Sequence, residues 1–406
     1  MLWRMSRDYG NAPRVRHGNV LAAAVFSGLL LFEWSTAFVR AQEALAAGRS
    51  GRRGPVQIGS VIAAPAQITT GQLTVPAGTD AGTFIPMTVI HGAKHGPILA
   101  IIAGVHGSET MPILALQQVA AQSRAAASAP PTPATVAPRT SASQGIPAAA
   151  IDPMQLAGTV VLVHVANVPG FLSRSASISP ADGKNLNHQF PGRADGTVSD
   201  RIADVLTRDV IARADFVIDV HSGDANEDLR PWTGFHAKYG SSDVIGRSRA
   251  MAVAFGVNVI VEFPFSPKPD EPTRDVGATA VKMGKPSFDV EVGRLGRIEP
   301  ESTATIASGL LGVLRHLQML PGASKPAVNP WFVTERRSLE AEQDGLFYPL
   351  VKAGAVVKAG TRIGFITDFH GARVQDVTAP EGGTVLVLVA TPAINRGETL
   401  VTLAVK

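Results

Sequence analysis

Residues 98–109 read ILAIIAGVHGSE, a continuous apolar run that ends in a turn carrying one histidine and one glutamate. Further apolar runs of strand length occur at residues 160–165, 216–220, 257–262 and 287–292. Strands that are apolar throughout, instead of alternating with polar residues, are typical of a sheet buried on both faces. We therefore predict an α/β domain with a largely parallel sheet and flanking helices.

Two segments between these runs have helical periodicity. Residues 110–122 and 199–214 repeat apolar side chains every three or four positions, which gives each helix one apolar face. We interpret both as crossover helices packed on the sheet. In open α/β sheets, ligands bind at the carboxyl ends of the strands, so chemistry is expected there.

Composition divides the chain further. The main domain is predicted at residues 56–325, after a lead-in at 42–55 whose Ala/Gly/Arg-rich composition is typical of disorder. Residues 125–151 are almost wholly Ala, Pro, Ser and Thr, a composition that cannot bury a core, and we interpret them as a disordered insertion. At 329–406, short apolar pieces separated by glycine-containing turns predict a small all-β barrel or sandwich.

The C-terminal region resembles biotinyl and lipoyl carrier domains in its pattern VKAGAVVKAGTRIG at residues 351–364. Those carriers present a modifiable lysine on an exposed hairpin. This chain has ITDFH at residues 366–370, without a lysine. The resemblance predicts the shape of a carrier domain without its function.

The N-terminus has the pattern of a secretory signal peptide at residues 1–41. Four arginines precede an apolar run from Val20 to Phe32, and small residues follow it. Cleavage is expected after Ala41 or Ala37. The apolar run is too short to span a bilayer comfortably, so no stable membrane anchor is expected after cleavage. We expect a periplasmic or secreted protein.

Composition also excludes several function classes. The 406 residues include no cysteine, which excludes disulfide scaffolds, thiolate metal sites and a thiol nucleophile. A metal ion would have to be bound by carboxylates and by some of the ten histidines. The net charge of +4 arises mostly in the signal region, the aromatic content is 6%, and no nucleic-acid reader motif occurs. A nucleic-acid partner is therefore not expected.

Candidate metal ligands follow two of the predicted strands. His106 and Glu109 lie in the turn after the first strand, and His221 ends the strand that contains Asp219. Two histidines and one carboxylate, with an open position for water, are the protein ligands of many catalytic zinc ions. Each histidine alone is equally consistent with a helix cap or a hydrogen-bonded strand terminus. Asp219, on the same strand face as His221, could orient that ring or form a structural pair.

Another acidic residue ends the strand at residues 287–292. Hydrolysis at zinc requires a carboxylate that takes a proton from the attacking water and passes it to the leaving amine. A glutamate on a core strand must otherwise be paired or protonated, because burial of its charge is costly. Glu291 is our candidate, and Asp289 on the same strand is the rival.

The segment between the two histidines provides the most specific pattern. It reads NVPGFLSR at residues 167–174 and PADGKNLNHQFPG at 180–192. Together with the His-Gly-Ser-Glu turn and the Asp-Val-His strand end, it resembles the succinylglutamate desuccinylase/aspartoacylase family. This family belongs to the zinc carboxypeptidase-like group, and the resemblance extends over residues 73–316. It implies a mixed, zinc carboxypeptidase-like sheet followed by a β module.

The resemblance also implies roles for individual residues. One Zn2+ ion per chain would be bound by His106, Glu109 and His221, with Glu291 as general base and acid. Arg174 matches the family arginine that polarises the scissile carbonyl, a role suited to a fixed guanidinium that faces a developing oxyanion.

The family's Asn-Arg pair holds the substrate carboxylate, and here the chain departs from the pattern. Asn187 matches the asparagine, but His188 replaces the arginine. A permanently charged, bidentate group thus becomes an imidazole that is largely neutral at pH 7. Arg193, Arg201 and Lys184 are candidates to compensate for the lost charge, and each is equally consistent with a solvated surface residue.

These inferences predict a zinc-dependent amidohydrolase that cleaves the amide bond of an N-acyl amino acid or a related N-acyl amine. Its expected partner is a small-molecule N-acyl substrate. An exported carboxypeptidase, a cell-wall peptide hydrolase and an esterase are alternatives within the same chemistry. A non-catalytic periplasmic binding protein that uses the same pocket is an alternative of another class. The sequence leaves open whether the chain forms a homo-oligomer.

Overall fold

A computed structural model describes residues 53–128, 149–264, 268 and 271–405. The predicted signal peptide at 1–41, most of the lead-in and the central part of the predicted insertion lie outside these residues. Within the described residues the helices are α1 Thr110–Ser128, α2 Val168–Leu172, α3 Val198–Leu206, α4 Ser242–Phe255, α5 Val276–Lys282 and α6 Pro300–His316. A 3-10 turn forms at Leu186–His188, and a π-helical turn, Thr207–Ile211, continues α3.

The strands of the N-terminal two thirds precede or alternate with these helices. They are β1 Val56–Ile58, β2 Val61–Ala63, β3 Gln67–Val75, β4 Thr83–His91, β5 Lys94–Ala103, β6 Ala157–Val163, β7 Ile178–Ser179, β8 Lys184–Asn185, β9 Phe216–His221, β10 Glu227–Leu229, β11 Trp232–His236, β12 Val259–Phe263 and β13 Ser287–Glu291. The strands that follow α6 are β14 Trp331–Val333, β15 Glu335–Glu340, β16 Gly345–Pro349, β17 Val356–Val357, β18 Arg362–Thr367, β19 Arg373–Thr378, β20 Gly383–Val389, β21 Ala393–Ile394 and β22 Thr399–Val405.

A nine-stranded sheet organises the first part of the chain, in the order β14-β12-β11-β13-β9-β5-β6-β4-β3. Its five parallel pairs lie among β14, β12, β11, β13, β9, β5 and β6, whereas β11/β13, β4/β6 and β3/β4 are antiparallel. The sheet is therefore mixed and largely parallel. This confirms the predicted fold class.

Both faces of the sheet are buried, as the continuous apolar runs predicted. On one face Leu99 and Ile101 pack with the helices α1, α4 and α6. On the other face Ala100 and Ile102 pack with Ile202 of α3 and with residues of α5. We call the second face the active face, because the polar residues of the candidate site lie on it.

The C-terminal region is an all-β module, as predicted. Its sheets have the orders β10-β20-β22-β15, with β17 paired to β20, and β19-β18-β16-β21. Buried Phe347, Ile363, Ile366 and Leu403 belong to the core of this module.

Two short strands cross the predicted domain boundary at residue 329. Trp331–Val333 pairs in parallel with β12 of the large sheet, although it lies after this boundary. Glu227–Leu229 of the main domain pairs with β20 of the module. Composition could not assign three-residue strands to a sheet, because their pairing depends on tertiary contacts.

The ends of the predicted insertion at 125–151 are ordered. Helix α1 continues to Ser128, since alanine is the strongest helix former. At the other end Ala149 and Ile151 are buried, and the Ile151 N–H donates to Ser123 Oγ at 2.8 Å. Residues 125–128 and 149–151 therefore have defined structure, where disorder was predicted. Among the described residues, no helix is long and apolar enough to cross a membrane.

Candidate metal centre

The turn between β5 and α1 carries the first two candidate ligands. Gly107, between His106 and Glu109, lies so close to α2 that a Cβ atom there would be 2.2 Å from the Gly170 carbonyl oxygen. Only glycine allows this approach. The local sequence therefore fixes the turn against the segment that contains Arg174.

The three candidate ligands converge. His106 Nδ1 lies 2.6 Å from Glu109 Oε1, and His221 Nδ1 lies 2.8 Å from Glu109 Oε2. One ligand atom from each residue lies within 4.8 Å of the others. Glu109 and His221 are buried, at 5% and 4% exposure. The structure thus brings together the three residues predicted as metal ligands.

The far nitrogen of each histidine has an oxygen partner. His221 Nε2 lies 2.9 Å from Asp219 Oδ2, and His106 Nε2 lies 3.1 Å from Asn185 Oδ1. The Asn187 N–H donates to the same Asn185 oxygen, which fixes the orientation of that amide. Burial lowers the pKa of both histidines, but the nearby carboxylates outweigh it: Glu109 raises the pKa of His106, and Asp219 and Glu109 raise that of His221 well above its usual value. Both Nδ1 atoms face Glu109, so a divalent metal that displaced the protons from these atoms would meet two imidazole nitrogens and a carboxylate, a donor set that fits it.

The electrostatics of the cluster support this interpretation. Burial alone would raise the pKa of Glu109, but the charges and hydrogen bonds of His106 and His221 outweigh it and lower this pKa to about 2. Glu109 is therefore an anionic ligand at neutral pH.

Glu291 lies beside the cluster. It is the register partner of His221 across the parallel pair β9/β13, whereas the rival Asp289 is the partner of Asp219, deeper in the sheet. Burial, and next the charge of Glu109, raise the pKa of Glu291 well above its usual value. Burial, and next the charge of Asp219, raise the pKa of Asp289 to about 8. The register places Glu291, not Asp289, at the level of the ligands.

Two further carboxylates lie near the centre and were missed from the sequence. Burial, then the charges of Asp224 and Glu109, raise the pKa of Glu227 to about 7. Burial likewise raises the pKa of Asp224, with a smaller contribution from Glu109. The sequence DANED at 224–228 has the composition of an exposed polar loop, so it contained no signal for a buried site.

The residues taken from the family resemblance lie on two segments that contact the cluster: the end of α2 and the turn after it pack against Gly107, and Asn185, two residues before Asn187, contacts His106. Arg174, in the turn after α2, has a φ of +53° and an exposed side chain, and makes no side-chain hydrogen bond or ion pair with the described residues. Asn187 follows the His106 partner Asn185, and its buried Oδ1 has no hydrogen-bond partner in the described part of the chain. His188 is exposed.

The three basic residues considered as replacements for the family arginine have structural partners. Lys184 Nζ lies 2.5 Å from Asp200 Oδ2, and Arg193 lies 3.8 Å from the same oxygen. Arg201 is 1% exposed and donates to Asp80 and to several backbone carbonyls. Lys184 and Arg193 therefore interact with Asp200, and Arg201 joins Gly196 to Pro76 and Asp80.

A His-Glu-His cluster thus lies at the carboxyl edge of a mixed α/β sheet, with a glutamate beside it, an arrangement that suits metal-assisted hydrolysis. The family model of the succinylglutamate desuccinylase/aspartoacylase catalytic domain matches residues 148–317. Over these residues the chain is similar to the catalytic domain of that family. This family comprises deacylases, which supports hydrolysis of an amide bond.

Similar proteins agree with this assignment. The chain is 27% identical over 348 residues to the N-alpha-acetyl-L-2,4-diaminobutyric acid deacetylase of Halomonas elongata, covering 82% of this chain and 90% of that protein. The product-bound ectoine utilization protein EutE (DoeB) from Ruegeria pomeroyi has the same fold, with a TM-score of 0.69, 24% identity and coverage of 87% of this chain and 98% of that one. A succinylglutamate desuccinylase/aspartoacylase from Rhodobacter sphaeroides has a TM-score of 0.68, 23% identity and coverage of 83% and 95%.

Proposed function

We propose that the protein is a zinc-dependent hydrolase that cleaves the amide bond of an N-acyl amino acid or a related N-acyl amine. The observation that carries this proposal is the convergence of His106, Glu109 and His221, with Glu291 in register beside them. Two neutral imidazoles and one carboxylate suit Zn2+ and leave a position open.

A bound zinc ion would polarise the scissile carbonyl and lower the pKa of water. Glu291 would take a proton from the attacking water and deliver it to the leaving nitrogen, a double role that requires a carboxyl group with a raised pKa. Arg174, which lacks a partner within the described residues, would stabilise the developing oxyanion. Asp219 and Asn185 would orient the two imidazoles.

Two findings bear on the amine that the reaction would release. The relative from Halomonas elongata acts on an acetylated diamino acid. Burial raises the pKa of Asp224 and Glu227, so a cation beside them would stabilise their charged forms, which suits a second amino group on the substrate. N-acetyl diamino acids are therefore the first substrates to test, followed by other N-acyl amino acids.

The test combines metal analysis with a substrate panel. Purified protein should contain about one zinc ion per chain and hydrolyse an N-acyl amino acid. His106→Ala should lose both metal and activity, whereas Glu291→Gln should keep the metal and lose turnover. Glu262→Gln is a control, because Glu262 lies on β12, separated from β13 by β11, and is the register partner of Phe235, on the face away from the site. Full activity of Glu291→Gln would refute the assigned mechanism.

The panel also separates the alternatives. Preference for short peptides or muropeptides would favour a carboxypeptidase or cell-wall hydrolase, and preference for esters an esterase. Ligand affinity that persists in Glu291→Gln, without turnover of any substrate by the wild type, would indicate a binding protein. Export through the signal at 1–41 stays a prediction, which fractionation of cells expressing the full chain would test.

A further inference from the structure

The carboxylate of an N-acyl amino acid needs a cationic partner, and the sequence position that matches the family arginine holds His188. Lys184 and Arg201 are committed to Asp200 and Asp80. The charge of Glu109 contributes to the raised pKa of both Glu291 and Glu227, so further negative charge at the centre is unfavourable. A substrate carboxylate therefore has to be bound at some distance from these groups, beside a cation of its own. An arginine that faces the centre without an ion-pair partner would supply this cation.

Arg336, on β15 of the C-terminal module, meets this condition. It is the register partner of Ala404 in the antiparallel pair β15/β22. Directly opposite residues of such a pair project to the same side of the sheet. Ala404 is buried in a cluster with Trp232 and Val261 of the large sheet. The Arg336 side chain is therefore directed from the module towards the active face.

A row of aromatic residues connects Arg336 with the catalytic glutamate. The Arg336 guanidinium carbon lies 5.3 Å from the centre of the Phe263 ring. That ring packs edge-on against Trp232, with the centroids 6.0 Å apart, and Trp232 is the register partner of Glu291. The aromatic rings hold the guanidinium by cation–π contact and leave its N–H groups available.

Two further observations indicate an absent acceptor. The Arg336 side chain is exposed and makes no hydrogen bond or ion pair within the described part of the chain. Partial burial lowers its pKa, and Glu291 is near enough to raise it. The indole Nε1 of Trp232, which is 8% exposed, is also without a hydrogen-bond partner there. Buried donors are normally satisfied, so the unused indole N–H, with an unpaired guanidinium close by, is expected to serve a ligand oxygen.

We propose that Arg336 of the C-terminal module binds the carboxylate of the amino-acid half of the substrate, replacing the arginine that His188 displaces. This assignment rests on the proposed function. It makes Arg336 a specificity residue: it selects substrates that carry a carboxylate and does not take part in proton transfer. A guanidinium is suited to this role because its planar fork matches a carboxylate.

The test compares Arg336→Met with Arg337→Met. Arg337 is the adjacent residue, projects to the other side of β15 and pairs with Glu335 and Glu381. Each variant would be assayed, zinc-loaded, with an N-acetyl amino acid and with its carboxamide analogue, which lacks the negative charge. Loss of a hydrogen bond to a charged group predicts a rise in KM of about 10- to 100-fold for the carboxylate substrate in Arg336→Met. The carboxamide should change less than about threefold, and Arg337→Met should leave both unchanged.

Two measurements guard against structural explanations. The melting temperature and zinc content of Arg336→Met should match those of Arg337→Met, and Arg336→Lys should recover part of the affinity. Calorimetry can measure the affinity of Glu291→Gln for the free amino-acid product independently of turnover. The double variant Glu291→Gln/Arg336→Met should bind this product more weakly. Equal loss for both substrates, or no loss beyond that of Arg337→Met, overturns the assignment. If the wild type hydrolyses neither substrate, the proposed function itself is wrong and the assignment falls with it.

Discussion

Substitution of Arg201 tests whether this buried residue stabilises the fold or binds the substrate. Its Nε donates to the Pro76 carbonyl at 2.9 Å, one Nη to the Gly196 carbonyl at 2.6 Å, and the other Nη to Asp80 Oδ1 at 2.5 Å. In Arg201→Met these acceptors lose their donor while most of the side-chain volume is kept. Removing one partner of a buried ion pair costs about 3–5 kcal/mol. Because the Asp80 side chain is 25% exposed and water can reach it, we expect the lower end, about 3 kcal/mol.

The assay is denaturant unfolding followed by tryptophan fluorescence, together with KM for an N-acetyl amino acid. Arg201→Met should lose stability without a specific rise in KM. Arg193→Met is the control: the Arg193 side chain is 67% exposed and lies 3.8 Å from Asp200, so its loss should change stability by less than about 0.5 kcal/mol. An Arg201→Met protein of nearly wild-type stability with a strongly raised KM would refute the reasoning and return Arg201 to the substrate site.

Three further predictions concern the ligands, the turn and pH. Asp219→Asn should weaken zinc affinity by about 10- to 100-fold, measured by chelator competition, because Asp219 orients His221; unchanged affinity would contradict this. Gly107→Ala should lose bound zinc, since the new Cβ would lie 2.2 Å from the Gly170 oxygen; a metal-replete variant would show that the turn adapts. Burial, and next the charge of Arg124, lower the pKa of His164 to about 4 in the folded state. As pH falls below 6.5, His164 is therefore protonated in the unfolded state before it is protonated in the folded state, which favours unfolding. Unfolding free energy should therefore fall by up to about 3 kcal/mol between pH 6.5 and 4, and His164→Gln should flatten this dependence; an unaltered slope would exclude His164 as its cause.

The central strands were predictable because burial on both faces leaves a continuous apolar run. All five predicted runs form strands, although their ends shift by a few residues. The antiparallel strands β3 and β4 were not predicted: β3 lies at the edge and reads QITTGQLTV, with polar residues throughout much of its length. Strand β11, Trp232–His236, was also missed, because five residues containing a glycine have no distinctive period.

Part of the candidate site could be predicted for a similar reason. His106, Glu109 and His221 follow strands that end at one edge of the sheet, so topology brings them together. Asn185 could not be inferred, since its contact with His106 depends on how a loop packs against the site. Nor could the position of Arg336, since its contact with Phe263 depends on how a separate module packs against the large sheet. The acidic residues at 224–228 could not be recognised from the sequence, because their position depends on the pairing of β10 with β20 of the module.

That short strand has a consequence for handling the protein. The segment from Ser222 to Asn226 follows the candidate metal ligand His221 and leads into β10, which is hydrogen-bonded to β20. The loop is thus held at one end by the buried His221 and at the other by the module. Truncation before residue 329 would remove β20, the partner of β10, and β14, the partner of β12. The unpaired edge of β12 would then be exposed, which favours aggregation. We therefore expect the loop to lose its position in an isolated N-terminal domain, and chimeras with relatives should exchange residues 227–229 together with the module.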